Sequence, residues 1–317
     1  MSAVTSGIHH VTAISGEPQR NVDLYVGLLG LRLVKKTVNF DDPGTYHLYY
    51  ADGLAHPGSF LTFFPWADAP PGRIGQGQAV ATAYVVPEGA LDYWMDRLAA
   101  EAVDFDAPTE RFGLRVLPFR DPHGLALEIV EVAGATGGWA EGPIPLDAAL
   151  GAFHAVTLCV DDPEPLARLL TEVMGFTATA EDGDRLRLTN PSADRAAHVD
   201  LHCTPGMERS RLGVGTVHHV AFRVKDDERQ REARELLIER GFEPTPVVDR
   251  QYFRSVYFRT PGGVLFELAT DPPGFAVDEP ADRLGSGLML PPQYEHLRAR
   301  LEVALPPLRL PYPPSTA

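Results

Sequence analysis

The sequence predicts an α+β protein made of four repeated βαβββ modules, and three observations support this. Strand-like segments with similar openings recur four times, at 7–14, 79–89, 152–162 and 216–226. An amphipathic helix pattern follows each opening strand. Two of the repeats also close alike, each with a Pro/Gly turn and a strand that carries one acidic residue, at 121–131 and 260–270. Such spacing indicates one supersecondary unit copied four times.

The repeats set the expected boundaries along the chain. Module 1 covers residues 1–70, module 2 covers 76–133, module 3 covers 150–205, module 4 covers 214–272, and a C-terminal extension covers 273–317. Stretches rich in Pro and Gly at 133–148 and 271–293 are typical of connectors. In the extension we expect a helix near 293–304, followed by a proline-rich tail.

The helix of each module is predicted from apolar residues that share one helical face. These residues are Val22, Tyr25, Val26 and Leu29 in module 1, Leu91, Trp94, Met95 and Leu98 in module 2, and Leu166, Leu169, Leu170 and Val173 in module 3. The helix of module 4 is more charged and contains Ala233, Leu236 and Leu237. Three helices are expected to end at Gly residues in the left-handed conformation, at Gly30, Gly175 and Gly241.

Composition argues against several classes of protein. The formal net charge of −15 disfavours nucleic acid and anionic membrane surfaces, because both attract Lys and Arg. Cys159 and Cys203 are the only cysteines and form no CxxC motif, so neither a disulfide framework nor a thiolate zinc site is expected. The N-terminal residues lack the pattern of a secretion signal, and no run of about 18 apolar residues occurs. We expect a soluble, cytoplasmic protein.

Strand phase separates the two adjacent histidines of module 4. Alternate residues of a strand face opposite sides of its sheet. His218 shares a phase with the apolar residues Val220, Phe222 and Val224, and this phase is expected to pack under the helix. His219 takes the other phase, which would line the concave side of the sheet, called here the cup.

The same comparison assigns cup positions in the other modules. In module 1, His10 and Thr12 take the cup phase, whereas His9 takes the packed phase. Modules 2 and 3 have Ala81 and Ala155 at the position of His10. Only modules 1 and 4 therefore place an imidazole in the cup.

A carboxylate from the closing strand completes the predicted site. Glu267 lies between the apolar residues Phe266 and Leu268, so it is expected to face away from the core. The equivalent closing-strand positions in modules 1, 2 and 3 are Thr62, Glu128 and Asp200. If modules 1 and 4 share a cup, it contains His10, His219 and Glu267, which matches the two-His, one-carboxylate set of non-haem Fe(II) oxygenases. The cup of modules 2 and 3 has no imidazole and is predicted to be vestigial.

These residues admit other interpretations. Glu267 could be an edge carboxylate paired with an Arg, and a buried His is more often a hydrogen-bonded core residue than a ligand, as expected for His154. The remaining histidines are interpreted as surface, turn or core residues, with His202 the leading exception; they are His47, His56, His123, His198, His202 and His296.

Several sequence blocks resemble ring-cleaving dioxygenases of the vicinal-oxygen-chelate (glyoxalase/bleomycin resistance) superfamily, especially the hydroquinone-cleaving branch. The blocks are HHVTAISG, LGLRLVKKTVNFDDPGTYHLYYAD, GTVHHVAFRV and DRQYFRSVYFRTPGGVLFELATD. The HHV pairs are typical of the whole superfamily, whereas NFDDPGTYHLYY and DRQYFRSVYFR are more specific to this branch. The resemblance implies the glyoxalase/extradiol dioxygenase fold, with two domains of curled mixed sheets in which modules 1 and 4 are paired.

The resemblance also implies roles for individual residues. It implies that Fe(II), or Mn(II) in the same ligands, binds His10, His219 and Glu267, and that the catalytic residues nearby are His9, Thr12, His218, Arg250 and Tyr257. His9 and His218 could reach the edge of the cup from near a strand end. Arg250 could instead pair with Asp249 or another surface acid. Candidate residues for the walls of the pocket are Phe64, Trp66 and Phe253.

The implied activity is cleavage of a hydroquinone-type aromatic diol by O₂, in the manner of a non-haem Fe(II) extradiol-type dioxygenase, to give a ring-opened semialdehyde. A glyoxalase-like isomerase or lyase is one alternative, although such enzymes commonly have a second carboxylate where this chain has Thr62. A non-enzymatic, ligand-binding resistance-type protein is another, but it would not need three metal ligands. The expected partners are the aromatic substrate and O₂, and exposed sheet edges favour a homo-oligomer.

Overall fold

Strands form most of the regular structure in the computed structural model, which describes residues 4–311. In this range there are sixteen strands: β1 (Ile8–Ser15), β2 (Arg32–Val38), β3 (Tyr46–Ala51), β4 (Phe60–Pro65), β5 (Gln78–Val86), β6 (Thr109–Arg111), β7 (Leu114–Arg120), β8 (Ala126–Glu131), β9 (Phe153–Val160), β10 (Thr177–Asp182), β11 (Arg185–Thr189), β12 (His198–Cys203), β13 (Thr216–Val224), β14 (Val248–Asp249), β15 (Phe253–Arg259) and β16 (Leu265–Pro273).

The strands make two eight-stranded mixed sheets. The first sheet has the order β14-β15-β16-β13-β1-β4-β3-β2, and the second has the order β10-β11-β12-β9-β5-β8-β7-β6. Strands of the first and last repeats therefore share one sheet, joined by the antiparallel pair β1–β13, and strands of the middle repeats share the other, joined by β5–β9. This confirms the α+β fold of four βαβββ modules and the pairing of modules 1 and 4. The module boundaries themselves stay a prediction.

Each opening strand is followed by a helix, as predicted. The helices are α1 (Pro18–Val22), α2 (Leu91–Ala100), α3 (Glu164–Glu172), α4 (Asp227–Glu239) and, in the C-terminal extension, α5 (Arg298–Ala304). Three 3₁₀ helices precede α5, at Phe275–Val277, Ala281–Arg283 and Pro292–Leu297. The glycines at 30, 175 and 241 all have positive φ angles, so the predicted caps are confirmed.

The first helix differs from the prediction of a regular α-helix. It is α-helical only over Pro18–Val22 and continues as a π-helix over Asp23–Leu28. The wider turn brings Leu29 N to Leu24 O, at 2.8 Å. Tyr25 is nevertheless fully buried, because the helix still turns its apolar face to the sheet.

The main core lies between the helices and the convex faces of both sheets. Its largest fully buried side chains include Trp94, Tyr25, Tyr50, Tyr84 and Phe222. A smaller apolar cluster lies on the concave side of the first sheet and includes Phe60, Tyr252, Phe253 and Phe275. Burial of such aromatic side chains stabilises the fold by roughly 2 kcal/mol each. Among residues 4–311, no helix has both the length and the apolar character needed to cross a membrane.

A β-bulge turns His9 toward the cup, so its predicted packed phase is wrong. In the β1–β13 ladder, Ile8 pairs with Phe222 and His10 pairs with Ala221, which leaves His9 as an extra residue on β1. A bulge of this kind interrupts the alternation of side chains along the strand. The His9 ring consequently lies against aromatic residues of the concave cluster, with centroid distances of 5.8 Å to Phe60 and 5.2 Å to Phe253.

The partner strand has the matching bulge, so the packed phase predicted for His218 is also wrong. Thr12 pairs with His219 and Ala13 pairs with Val217, leaving His218 as the extra residue on β13. The second sheet repeats the pattern with an extra His154 on β9. Because the first histidine of each pair is the extra residue of the bulge and the second follows it, both members of each pair reach the same side of the first sheet.

Candidate metal centre

Three side chains from the first and last repeats, which share the first sheet, converge at one point. His10 Nε2 lies 3.1 Å from His219 Nε2, Glu267 Oε2 lies 2.9 Å from His219 Nε2, and it lies 3.3 Å from His10 Nε2. All three residues are at most 5% exposed. The structure thus brings together the ligand set predicted from strand phase, on β1, β13 and β16.

The donor atoms fit a bound divalent cation. Separations near 3 Å are those expected between neighbouring ligands that each lie about 2.1 Å from one ion. Glu267 Oε2 is buried and has no hydrogen-bond donor among residues 4–311, whereas Oε1 accepts a hydrogen bond from Ser255 Oγ at 2.5 Å. Burial alone would raise the pKa of Glu267, but His10 and His219 hold that pKa well below its usual range. An ionised carboxylate oxygen with no hydrogen bond, facing two imidazole nitrogens, is the pattern that a cation requires.

A second imidazole lies behind each ligand imidazole. His10 Nδ1 is 2.9 Å from His9 Nδ1, and His219 Nδ1 is 2.8 Å from His218 Nδ1. For Nε2 of His10 and His219 to offer a lone pair, their Nδ1 atoms must carry the protons and donate them to the neighbouring rings. Burial, followed by the adjacent imidazoles, lowers the pKa of His9 far below its usual value and that of His218 to about 3. Both outer rings are therefore neutral acceptors at pH 7.

Thr62 occupies the fourth corner of the cup. On β4, Thr62 pairs with Thr12, which lies two residues after His10. On β16, Glu267 pairs with Ala221, which lies two residues after His219. Thr62 and Glu267 therefore hold equivalent positions in the sheet, as predicted. The Thr62 hydroxyl lies 2.8 Å from Thr12 Oγ1 and 2.9 Å from His47 Nε2. These contacts occupy the hydroxyl, so this corner adds no carboxylate to the ligand set.

His47 is a residue of the site that sequence reasoning missed. Its Nδ1 lies 2.8 Å from the Tyr49 hydroxyl, and its ring packs on Phe64 at 4.4 Å between centroids. Burial lowers the pKa of His47 well below its usual value, so the ring is neutral. The phase argument applied to β3 could have found it, because Leu48 and Tyr50 belong to the main core and the alternate residues His47 and Tyr49 face the cup.

A cavity of about 440 Å³ opens beside the converging ligands. Its walls include the predicted residues Phe64, Trp66 and Phe253, and its lining is mainly apolar and aromatic. His218 lines this cavity, whereas His9 lies behind it with 2% exposure. The volume is within the range of small-molecule sites. His10 and His219 thus line a cavity large enough for a small molecule, and Glu267 is buried behind them.

Arg250 and Tyr257 lie at the side of this cavity. Arg250 Nε donates a hydrogen bond to the Tyr257 hydroxyl at 3.2 Å, and Tyr257 packs edge-on against His219, with 5.7 Å between ring centroids. Burial raises the pKa of Tyr257, so its hydroxyl stays protonated. The acid partner of Arg250 is Asp41 rather than the neighbouring Asp249.

Comparison with known proteins places this fold and site in a family. The sequence model of the glyoxalase/bleomycin resistance protein/dioxygenase superfamily matches residues 7–129 and 152–268. The chain belongs to this superfamily. A relative from Bacillus subtilis (strain 168) that bears the name ring-cleaving dioxygenase MhqO is 48% identical over 311 residues, covering 98% of this chain and 99% of the relative.

Two further matches narrow the position of the chain within the superfamily. A chlorohydroquinone/hydroquinone 1,2-dioxygenase of Sphingobium indicum is 36% identical and covers 93% of this chain and 94% of its own. A crystal structure described as a dioxygenase from Bacillus subtilis subsp. subtilis str. 168 has a TM-score of 0.93 at 48% identity, covering 96% of this chain and 98% of that one. The chain is therefore similar to the ring-cleaving dioxygenases of the superfamily over nearly its whole length.

The second cup of this superfamily member is filled by ion pairs. Glu128 and Asp200 take the positions equivalent to Glu267 and Thr62 in the strand register. Arg111 pairs with Glu128, and Arg187 pairs with Asp200 through two bonds of 2.7 Å. Within residues 4–311, the second sheet has no group of three candidate metal ligands. The acids of this cup are neutralised by arginines.

The remaining histidines lie outside the first cup. His202 bonds to Asp184 at 2.9 Å, and His56 bonds to Asp52 at 2.8 Å. His154 was expected to be hydrogen-bonded, but its Nε2 has no hydrogen-bond partner among residues 4–311 and its ring packs on His198 at 4.9 Å. That expectation is therefore wrong for Nε2.

Proposed function

We propose that the chain is a metal-dependent ring-cleaving dioxygenase that uses O₂ to open a hydroquinone-type aromatic diol beside one hydroxyl group, giving a semialdehyde. The observation that carries the proposal is the cluster of His10, His219 and Glu267, whose two imidazoles line a mainly apolar, aromatic cavity. We further propose Fe(II) as the metal, since this ligand set with open positions is the one used by non-haem Fe(II) oxygenases. Mn(II) could occupy the same ligands.

The names of the relatives support the same class of reaction. They describe ring-cleaving and hydroquinone 1,2-dioxygenases, and the matched regions include all three proposed ligands. Thr62 at the fourth corner counts against a glyoxalase-like isomerase or lyase, which would commonly have a carboxylate there. A resistance-type binding protein would have no need for the buried, metal-ready carboxylate of Glu267.

His10, His219 and Glu267 would hold the metal. The direct reaction of a singlet diol with triplet O₂ is spin-forbidden and slow, and a bound metal would supply an electron-transfer path between them. The protein's own residues then have distinct tasks. Phe64, Trp66 and Phe253 form apolar walls that hold an aromatic ring and exclude water.

Polar groups at the cavity wall would handle hydroxyl groups and protons. Arg250 and Tyr257 can donate hydrogen bonds to an oxygen that gains negative charge. His218 accepts a hydrogen bond at Nδ1, so its neutral ring carries the proton at Nε2, from which it would donate a hydrogen bond to an oxygen of a bound diol. His9 lies behind the cavity, so we assign the hydrogen-bonding role toward substrate to His218 and an orienting role toward His10 to His9.

The partners that follow are a small aromatic diol and O₂, with no nucleic acid or membrane. The cytoplasmic location and the homo-oligomer stay predictions. One chloro or methyl group on the hydroquinone would change the free energy of its contacts with the pocket by only about 1–3 kcal/mol.

The test is O₂ uptake by protein that has been stripped of metal and reconstituted anaerobically with Fe(II) or Mn(II). Hydroquinone, chlorohydroquinone and methylhydroquinone should each be assayed, with metal-free protein and His219→Ala as controls. We expect about one O₂ consumed per ring opened, only in metal-loaded wild type. Tight hydroquinone binding without O₂ uptake would instead support a sequestering protein. Turnover of a thiohemiacetal with a redox-inert metal would support an isomerase.

A further inference from the structure

The mouth of the substrate cavity lies between two loops from opposite ends of the chain. The loop of residues 39–45, between β2 and β3, forms one side, and Arg250, between β14 and β15, lies on the other. Both loops belong to the blocks NFDDPGTYHLYY and DRQYFRSVYFR, which are the segments most specific to the hydroquinone branch. The fold therefore places these two blocks face to face across one opening.

An ion pair spans this opening. Arg250 Nη1 lies 3.2 Å from Asp41 Oδ1, and Nη2 lies 3.0 Å from Asp41 Oδ2. Arg250 Nε donates to the Tyr257 hydroxyl at 3.2 Å. The planar guanidinium is thus held at both ends, by Asp41 outside and by Tyr257 inside. Because the Tyr257 oxygen accepts from Arg250, its own proton is left to point elsewhere.

The loop that presents Asp41 is braced. Asn39 Oδ1 accepts a hydrogen bond from Asp41 N at 2.9 Å, and Asn39 N donates to Thr45 O at 2.8 Å. Tyr294 of the C-terminal extension donates to Phe40 O at 2.8 Å. These hydrogen bonds hold the 39–45 loop in place at the edge of the cavity. Because the loop is held, Asp41 can hold Arg250 in one position.

Exposure indicates that the pair does little for folding. The Asp41 side chain is 75% exposed and that of Arg250 is 20% exposed. Ion pairs with one largely exposed partner contribute little to stability. A cost to function on breaking this pair would therefore be separable from a cost to folding.

We propose that Asp41 is a positioning residue of the active site, a role that rests on the proposed function. Asp41 holds the Arg250 guanidinium against Tyr257, so that the Tyr257 hydroxyl proton points toward a bound diol. The Asp41–Arg250 ion pair also spans the opening of the cavity above that diol. Asp41 itself touches neither substrate nor metal in this arrangement.

The decisive variant is Asp41→Asn, with Asp249→Asn as the matched control. Both changes remove one negative charge and keep the side-chain size. Asp249 is next to Arg250 in the chain, yet its carboxylate accepts from Gln251 N at 2.8 Å rather than from Arg250. We expect Asp41→Asn to weaken hydroquinone binding about fivefold and Asp249→Asn to leave it unchanged. Binding can be followed anaerobically by quenching of Trp66 fluorescence, and thermal unfolding should show the same midpoint for both variants.

Three further measurements distinguish the positioning role from a merely structural effect. In an Arg250→Met background, Asp41→Asn should have no additional effect on binding or on kcat/KM. In wild type, added salt should lower kcat/KM toward the Asp41→Asn value, whereas Asp41→Asn should be insensitive to salt. Without any ligand, the side-chain Nε–H NMR signal of Arg250, assigned from Arg250→Lys, should broaden in Asp41→Asn only.

Equal binding, kcat/KM and Arg250 signals in wild type and Asp41→Asn would overturn the role of Asp41. So would an effect that persists undiminished in the Arg250→Met background. Failure of the proposed function is distinguishable, because it would appear in wild type as absent O₂ uptake with every hydroquinone. The NMR comparison would still decide whether Asp41 orders Arg250.

Discussion

At the scale of single residues, the site depends on one negative charge placed beside two imidazoles. Glu267 is fully buried, one of its oxygens has no hydrogen-bond partner among residues 4–311, and the imidazoles of His10 and His219 are oriented toward it by His9 and His218. Such an arrangement is costly without a cation, because a buried carboxylate needs compensation. Metal binding should therefore depend steeply on the Glu267 charge.

Glu267→Gln keeps the size of the side chain and removes its charge. We expect the affinity for Fe(II) or Mn(II) to fall at least about 100-fold, as measured by competition with a chelator. Glu128→Gln is the matched control, because Glu128 holds the equivalent place in the second cup and pairs with Arg111. Unchanged metal affinity in Glu267→Gln would contradict the proposed ligand set.

At the scale of strands and helices, alternation along a strand predicted His10, His219 and Glu267 correctly as neighbours. It failed for His9 and His218, because a bulge inserts one residue and no local sequence signal marks it. The contact between Asp41 and Arg250 was also beyond sequence reasoning, since it joins loops 209 residues apart. Periodic patterns thus predict elements and faces, whereas loop contacts depend on the tertiary fold.

The C-terminal extension is attached to the first sheet by a buried ion pair. Lys35 on β2 has no exposed side-chain surface, and its Nζ lies 2.7 Å from Asp278 Oδ1 and 2.9 Å from Glu279 Oε2. Next to them, Phe275 packs against Tyr252 in the concave cluster. The extension therefore supports the floor of the cup, and this support is electrostatic as well as apolar.

Lys35→Met should lower the free energy of unfolding by about 3 kcal/mol, because it leaves buried acids without their cation. Burial raises the pKa of Glu279, but Lys35 and the Gly285 and Gly287 amides outweigh it and lower that pKa. A lowered carboxyl pKa stabilises the fold above the unfolded value of about 4.3 and loses this effect as the pH falls. In urea unfolding, the difference in the free energy of unfolding between Lys35→Met and wild type should be largest at pH 7 and shrink below about pH 4.

Lys36→Met is the control for this prediction. An equal loss of unfolding free energy in Lys36→Met would contradict this account.

At the scale of the whole molecule, the chain pairs its first and last repeats in one sheet and its middle repeats in the other. The repeats and their cup positions could be predicted from the sequence, because His10 and His219 recur at one place in the pattern. The ion pairs of the second cup could not, because β6, which carries Arg111, is only three residues long. The alternation along β11 assigns Arg187 to a face but does not identify Asp200 as its partner. One metal per chain is the expected consequence.

The most direct test of the metal centre is anomalous X-ray diffraction at the iron edge, from crystals of protein loaded anaerobically with Fe(II). We predict one strong peak per chain, within bonding distance of His10 Nε2, His219 Nε2 and Glu267 Oε2, and none in the second cup. A peak elsewhere, or fully loaded iron with no peak between β1, β13 and β16, would contradict the account.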